Sequence, residues 1–255
     1  VGDANEAPTL AVPTGGSVTE DASSSTITGT LTGADPEGDD LSYSVVGSTA
    51  SSGSYSVAGT YGTLVLNAAT GAYTYTLNNS ATAVNALKSS DSKTESFSVG
   101  ITDGTNTPSS QSLSFTINGA NDAPGVPTLS STSVDENVAG DSVGTLSSTD
   151  AEDQAISYTV ADSGDGASFE IDSDGTTLKL KEGISADHES KSEYTVTVDA
   201  TDGTDTTPQT FTITVGDANE APTLAVPTGG SVTEDASSST ITGTLTGADP
   251  EGDDL

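Results

Sequence analysis

Short runs of alternating apolar and polar residues, separated by turns rich in Gly and Asp, extend along most of this chain. The alternation is clearest in residues 97–101, 113–117, 156–160, 194–198 and 211–215. A period of two is typical of β-strands that bury one face and expose the other. The pattern therefore predicts antiparallel sheets, each with one face against a core and the other in water.

Two hairpins are predicted where such runs flank a turn, one from Leu64 to Tyr75 and one from Phe169 to Leu180. The only helical turn that the pattern predicts lies between Ala81 and Leu87. Each half of the chain contains about seven strands, the number expected of an immunoglobulin-like sandwich. We therefore predict an all-β fold of tandem immunoglobulin-like antiparallel β-sandwiches in an elongated rod.

Internal repetition suggests how these sandwiches are arranged. Val1–Leu41 recurs letter for letter as Val215–Leu255, which predicts that the chain is part of a tandem array. Three similar segments end in proline, at Pro8, Pro124 and Pro222, and proline ends a strand ladder because it lacks the N–H donor. The predicted divisions are the end of a preceding repeat with its linker (1–7), a sandwich (8–121), a second sandwich (122–217), and a linker with the truncated start of a third sandwich (218–255).

The charge of the chain limits its partners. It has 38 Asp and Glu against 5 Lys and no Arg, a net charge of −33, which excludes phosphate backbones and anionic membrane surfaces as partners. With no Cys, there is neither a disulfide nor a thiolate metal site. Aromatic residues are few and Trp is absent, so an apolar catalytic cleft is not expected and the chain is predicted not to be an enzyme. The single His188 is interpreted as an exposed neighbour of two acidic residues.

The acidic residues recur at matched positions. Glu20 lies 12 residues after Pro8, and Glu136 lies 12 residues after Pro124. Ca²⁺ takes six to eight hard oxygen ligands, which requires several acids converging from different loops. Asp, Asn and Gly are also ordinary turn residues, so an isolated Asp-Gly is more often a turn than a ligand. It is the joint recurrence that favours calcium; an EF-hand loop is not present.

At these residues the chain resembles the cadherin superfamily in its bacterial form. The second half is similar to cadherins at Val134–Asn137, Thr149–Asp153, Asp187–Glu189, Ala200–Gly203 and Asp217–Pro222. The first half resembles the VCBS repeat of large bacterial surface proteins at Gly59–Leu64, Tyr73–Ser80 and Thr102–Gly104. The resemblance implies cadherin-type sandwiches with several calcium ions at the interdomain junctions.

Carrying the ligand roles over gives three predicted groups of metal ligands. The first is Asp3, Asn5, Glu6, Asp35, Asp39 and Asp103. The second is Glu20, Asn121, Asp122, Asp150, Glu152, Asp153 and Asp202. The third is Glu136, Asp187, Glu189, Asp217, Asn219, Glu220, Asp249 and Asp253.

The alternation of the two repeat types resembles the extender region of a giant repeats-in-toxin (RTX) adhesin. That resemblance implies type I secretion, retention at the outer membrane, and a calcium-rigidified spacer whose partners are calcium and its neighbouring repeats, with the adhesive target bound elsewhere. An alternative is a glycan- or surface-binding sandwich, for which Tyr55, Tyr61, Tyr73 and Tyr75 are the candidate residues, although their alternation favours a core role.

The segment Pro222–Leu255 is too short to bury a core and is expected to be disordered or to pair with another molecule.

Overall fold

The computed structural model describes residues 4–106, 108–225, 229–231, 240–241 and 243–249, and nearly all of its regular structure is β. Contacts divide the chain into two compact units. The first unit is Val1–Pro124 with Thr149–Ala155, and the second is Gly125–Ser148 with Ile156–Leu255. The part of the chain described here contains no helix that is both long and apolar enough to cross a membrane.

The first unit is built from ten short strands and one helical turn. The helical turn, α1, spans Thr82–Asn85, within the stretch predicted from the sequence. The strands are β1 (Thr9–Leu10), β2 (Ser17–Thr19), β3 (Thr26–Thr30), β4 (Gly33–Ala34), β5 (Ser42–Val45), β6 (Ser54–Ala58), β7 (Gly62–Asn67), β8 (Ala72–Leu77), β9 (Ser92–Thr102) and β10 (Ser109–Asn118).

These strands form two four-stranded sheets, in the orders β2-β10-β9-β5 and β3-β8-β7-β6, and the pair β1-β4. All the pairings are antiparallel except β2 with β10, which is parallel. The predicted hairpin from Leu64 to Tyr75 is confirmed, because β7 and β8 pair with Leu64 opposite Tyr75.

Side chains from both sheets of the first unit meet in one core. Tyr75 stacks on Phe115 with a 4.3 Å distance between ring centroids, and neither residue is exposed to solvent. The buried Glu95 accepts a 2.7 Å hydrogen bond from the Tyr75 hydroxyl and further bonds from the backbone N–H groups of residues 60–62. The Glu95 carboxylate therefore holds the loop that precedes β7 against strand β9.

The sandwich of the second unit repeats this plan with eight strands and a 3₁₀ turn at Gly166–Ser168. The strands are β11 (Thr128–Leu129), β12 (Ser133–Asp135), β13 (Ser142–Ser147), β14 (Ser157–Gly164), β15 (Phe169–Ile171), β16 (Thr177–Leu180), β17 (Glu193–Thr201) and β18 (Thr206–Gly216). The four-stranded sheets of this sandwich have the orders β11-β13-β16-β15 and β12-β18-β17-β14, and β12 pairs in parallel with β18.

The predicted hairpin from Phe169 to Leu180 is also confirmed, because β15 and β16 pair antiparallel with Phe169 opposite Leu180. Phe169, Leu178 and Leu180 lie in the core between the two sheets, where Val196 and Ile213 pack from the other side. The all-β fold of tandem immunoglobulin-like sandwiches is thus confirmed, and the elongated rod stays a prediction. The domain limits at 121 and 217 stay predictions.

The segment after Pro222 is described only in part. Its described residues include a short antiparallel pair, β19 (Thr223–Leu224) with β20 (Gly247–Ala248). Residues 226–228, 232–239, 242 and 250–255 of the segment that was expected to be disordered, or to pair with another molecule, lie outside the described residues.

Candidate functional site

Most of the predicted ligands that the structure describes belong to three acidic clusters, and the members named below for each cluster lie within one compact unit. The same local geometry builds all three. In each, a segment that leads to a boundary proline offers backbone N–H groups, and carboxylates from nearby loops accept them. The described residues of the first cluster are Asn5, Glu6, Asp35, Glu37, Asp39, Asp103 and Asn106, and all of them belong to the first unit.

Asp103 is the centre of the first cluster. It follows β9, and its Oδ1 accepts hydrogen bonds from the N–H groups of Thr105 and Asn106, while its Oδ2 accepts 2.7 Å and 2.9 Å bonds from the amides of Asn5 and Asn106. These bonds, led by the one from the Asn106 N–H, hold the pKa of the Asp103 carboxyl well below its usual range. Asp103 is therefore ionised at any physiological pH.

The loop after β4 supplies the other acids of this cluster. Oδ1 of Asp35 accepts 3.0 Å bonds from the N–H groups of Glu37 and Asp39, which closes the loop into a tight turn. Oε2 of Glu37 accepts a 3.1 Å bond from the N–H of Glu6. Oδ2 of Asp35 is buried and has no hydrogen-bond partner. Asp3 of the predicted group lies outside the described residues.

The second cluster comprises Glu20, Asp21, Asn121, Asp122, Asp150, Glu152 and Gln154, again within the first unit. Glu20, only 3% exposed, accepts a hydrogen bond from the N–H of Ala120. Oε1 of Glu152, which is equally buried, accepts a 2.7 Å bond from the N–H of Asp122. Oδ1 of Asp150 accepts bonds from the N–H groups of Glu152 and Gln154, which repeats the turn made by Asp35.

Three carboxylate oxygens of the second cluster have no hydrogen-bond donor, and the carboxylates repel one another. Oδ2 of Asp122, Oδ2 of Asp150 and Oε2 of Glu152 are all buried without a hydrogen-bond partner. Burial raises the pKa of Glu20 to about 6, and the negative charge of Asp122 adds to the increase. Burial, a hydrogen bond with Asp21 and repulsion from Glu152 raise the pKa of Asp122 to about 6 as well. The pKa of Glu152 is raised, mainly by burial.

Two further residues predicted for this group, Asp153 and Asp202, stay predicted ligands. Asp153 is exposed and has a φ of 57°, the left-handed conformation that Gly38 adopts in the equivalent turn with a φ of 80°. Its place in the loop is therefore that of a turn residue. Asp202 belongs to the second unit, where its Oδ1 accepts bonds from the N–H groups of Thr204 and Asp205.

The third cluster comprises Glu136, Asn137, Asp187, His188, Glu189, Asp217 and Glu220, all within the second unit. Glu136, 3% exposed, accepts hydrogen bonds from the N–H groups of His188 and Ala218, so one carboxylate fixes two segments of chain. Oxygens of Glu136, Asp187 and Glu189 all lie within 4.8 Å of one another, close enough to share one ion.

A cavity of about 270 Å³ adjoins these carboxylates, lined by Asn137, Asp187, Glu189, Ser190 and Glu220. The side-chain amide of Asn137 donates to Glu220, and that of Asn219 donates to the Glu220 carbonyl at 2.8 Å. Asp249 directly follows β20 in the same unit. Asp253 lies outside the described residues.

The sequence did not identify Asp21, Glu37, Asn106, Asn137 and Gln154 as members of these clusters, and it did not identify His188 as a potential ligand. For some of them a signal was available. Glu37 follows Asp35 by two positions, as Glu152 follows Asp150. Asp21 and Asn137 each directly follow the buried glutamate and share a positive φ, 53° and 62°.

The ligand atoms that the three clusters offer fit Ca²⁺. The described members of the clusters present carboxylate and amide oxygens, the hard ligands that Ca²⁺ takes, and several buried oxygens have no other donor to satisfy them. The ion pairs found between lysines and acids in the described residues involve Glu170, Asp172 and Asp165, which lie outside the clusters.

Comparisons with known proteins agree with this fold. Residues 5–119 match the bacterial cadherin-like domain, and residues 130–216 match the cadherin domain. The chain thus carries two cadherin-like sandwiches in tandem, domains that generally act as extracellular structural modules and typically bind Ca²⁺. No curated protein matches the chain.

Solved structures of similar fold are extracellular cadherin segments. The protocadherin GammaB4 extracellular domain is 19% identical with a TM-score of 0.57, over 98% of this chain and 39% of that one. Mouse cadherin-23 EC22-24 is 18% identical with a TM-score of 0.57, and the match covers 97% of this chain and 78% of that one. Human protocadherin-24 EC1-2 is 18% identical with a TM-score of 0.53, and the match covers 84% of this chain and 100% of that one. This chain spans only 39% of the length of the first of these.

Proposed function

We propose that this chain is a calcium-rigidified spacer, whose sandwiches hold a distal binding region away from the cell surface. Following the resemblance to RTX adhesins, we propose that it belongs to the extender of a secreted bacterial adhesin, with VCBS-like and cadherin-like repeats in alternation. In this role calcium and the neighbouring repeats are its partners. The chain itself performs no catalysis.

The observation that carries this proposal is the set of buried carboxylate oxygens without donors in the second cluster. Leaving a buried acceptor unsatisfied costs about 1–3 kcal/mol, and three carboxylates in one place also repel one another. With Asp122, Asp150 and Glu152 arranged this way, the cluster is costly to keep when empty. A divalent cation would satisfy the oxygens and cancel the repulsion together.

The residues around the boundary prolines explain why an ion would stiffen the chain. Glu6 and Asp122 each donate a backbone N–H to a loop carboxylate, and Ala120 and Ala218 each donate one to a buried glutamate. An ion bound to those carboxylates would hold the linker backbone at several points. We therefore propose that calcium fixes the orientation of successive sandwiches, and that its loss frees the linkers.

In the first cluster we propose Asn5, Glu6, Asp35, Asp39 and Asp103 as ligands, joined by Glu37. In the second we propose Glu20, Asn121, Asp122, Asp150 and Glu152. In the third we propose Glu136, Asp187, Glu189, Asn219 and Glu220, joined by Asn137. Asp3, Asp153, Asp202, Asp217, Asp249 and Asp253 stay predicted ligands from the sequence.

The glycan-binding alternative has less support. Tyr73 and Tyr75 are buried in the core, and Tyr55 and Tyr61 pack against it. None of the large apolar side chains exposed on the described residues is aromatic, and a sugar-binding face is expected to present such rings.

Calorimetric titration of the chain with Ca²⁺, and separately with Mg²⁺, tests the proposal. Extracellular calcium modules bind with dissociation constants of about 0.1–1 mM, and the same range is expected here. Mg²⁺ requires a regular octahedron and gives up its water reluctantly, so it should bind far more weakly. Equal binding of both ions, or no heat from either ion together with an unchanged melting temperature, would rule the proposal out.

A further inference from the structure

The one histidine of the chain faces two carboxylates in the second unit. Nδ1 of His188 lies 3.6 Å from Oε1 of Glu189 and 3.6 Å from Oδ2 of Asp217. These ligand atoms all lie within 4.8 Å of one another. The imidazole is half-buried, not the exposed neighbour that the sequence suggested.

The buried Glu136 carboxylate fixes the backbone next to both His188 and Asp217. Its Oε2 accepts a 2.7 Å hydrogen bond from the N–H of His188, and its Oε1 accepts one from the N–H of Ala218, the residue next to Asp217. One buried carboxylate therefore sets the backbone that carries both the ring and the facing acid. Tertiary structure therefore brings His188 and Asp217 together, because hydrogen bonds to Glu136 fix the backbone at both positions.

The distances from Nδ1 of His188 to the two carboxylate oxygens match the spacing of ligand atoms around a metal ion and are too long for hydrogen bonds. At 3.6 Å, neither carboxylate is within hydrogen-bond distance of Nδ1. Two donors that each lie about 2.1 Å from a tetrahedral zinc ion are about 3.4 Å apart. The separations from Nδ1 to the two oxygens are close to that value, so a small ion would fit between them with little movement.

We infer that His188, Glu189 and Asp217 form a site for a borderline divalent transition metal such as Zn²⁺. Imidazole nitrogen suits zinc and its neighbours, whereas Ca²⁺ takes oxygen. Three protein ligands leave a fourth position for water. This site is distinct in chemistry from the all-oxygen group of Glu136, Asp187 and Glu189, and the two share only Glu189.

The shared Glu189 couples the two sites. A carboxylate has two oxygens and can bridge two cations, so calcium in the oxygen group and zinc beside His188 can be bound together. The zinc ion would tie Asp217, in the segment that leads to Pro222, to the loop of residues 187–189. It would then restrain that segment through the imidazole of His188, a group that calcium does not bind.

The test uses the 255-residue chain in saturating Ca²⁺, titrated with Zn²⁺ and followed by NMR of the single imidazole. The expected result is that the His188 ring signals shift and saturate with one zinc ion per chain. Co²⁺ in place of zinc should give the intense visible absorption of a four- or five-coordinate nitrogen and oxygen site.

Variants decide which residues bind the ion. H188Q and D217N should each weaken zinc binding by more than the roughly ten-fold that losing an outer hydrogen-bond partner costs. H188Q, which removes no predicted calcium ligand, should retain calcium binding to the oxygen group. D162N, an exposed acid outside the clusters, should leave zinc affinity unchanged. Unshifted imidazole signals, or equal zinc affinity in H188Q and the parent chain, would mean that His188 lies beside the two carboxylates without binding zinc, and would overturn the proposal.

Discussion

The N–H of Asp122 donates a 2.7 Å hydrogen bond to Oε1 of Glu152, while Oε2 of the same carboxylate is buried without a partner. Oε1 holds the segment before Pro124 through this hydrogen bond. Oε2 carries negative charge but accepts no hydrogen bond from the protein. The two properties together make Glu152 the most informative side chain for testing whether an ion completes the cluster.

Replacing Glu152 with Gln should separate these two roles. The amide oxygen can still accept the N–H of Asp122, but the charge that attracts calcium is gone. In about 10 mM Ca²⁺, one site with a dissociation constant of about 0.1–1 mM stabilises the fold by about 1.4–2.7 kcal/mol. We expect E152Q to lose most of that gain, measured as the calcium-induced rise in melting temperature.

Two comparisons make that result specific. Without calcium, E152Q should melt at or above the temperature of the parent chain, because a source of repulsion with Asp122 and Asp150 has been removed. D162N carries the same chemical change at an exposed position outside the clusters and should keep the full calcium response. An E152Q chain that gains as much from calcium as the parent would exclude Glu152 as a ligand.

The metal-free protein should be more stable at pH 5 than at pH 7. The pKa values of Glu20 and Asp122 are raised to about 6 from ordinary values of 4.5 and 3.8. The folded state thus binds more protons than the unfolded state between about pH 4 and 6. The stabilisation is complete below the unfolded pKa values and is lost as the pH rises through 6; for Glu20 it is at most about 2 kcal/mol.

Calcium should reverse that dependence, because it binds the ionised carboxylates and competes with protons. The check is a series of thermal melts from pH 4.5 to 7.5, with a chelator and with excess Ca²⁺. Parallel curves in the two conditions would show that the second cluster does not bind the ion.

In the core of the first unit, the Tyr75 hydroxyl donates to the buried carboxylate of Glu95, and the Tyr73 hydroxyl donates to the neutral carbonyl of Thr14 at 2.8 Å. Hydrogen bonds to charged groups contribute about 1.5–3 kcal/mol and neutral ones about 1 kcal/mol. Y75F should therefore lower the unfolding free energy more than Y73F, measured by urea denaturation. Equal losses, or a larger loss in Y73F, would contradict the role given to Glu95.

The strands and hairpins could be predicted because alternation reports directly which side chains face a core. Leu64 pairs with Tyr75 and Phe169 with Leu180 where the sequence pattern places them. The role of Glu95 could not be predicted in this way. It occupies an apolar position of the alternation in β9, and only the tertiary fold brings the loop N–H groups of residues 60–62 to it.

Two residues of the acidic clusters could be predicted because each acid stands at the same distance from a proline. Glu20 and Glu136 share that spacing, and both prove to be buried acceptors of N–H groups near the following linker. Backbone conformation decided the cases that spacing could not. Asp153, which stays a predicted ligand, adopts the left-handed turn position, and His188 looked isolated because its partner Asp217 is distant in sequence.

Small-angle X-ray scattering of the 255-residue chain, recorded in excess Ca²⁺ and again after chelation, tests the central proposal most directly. If calcium fixes the linkers, its addition should increase the radius of gyration and remove the raised tail that flexible linkers give to the Kratky plot. The E152Q chain should respond less than the parent, and D162N should respond fully. Identical scattering of the parent chain with and without calcium would contradict a calcium-rigidified spacer.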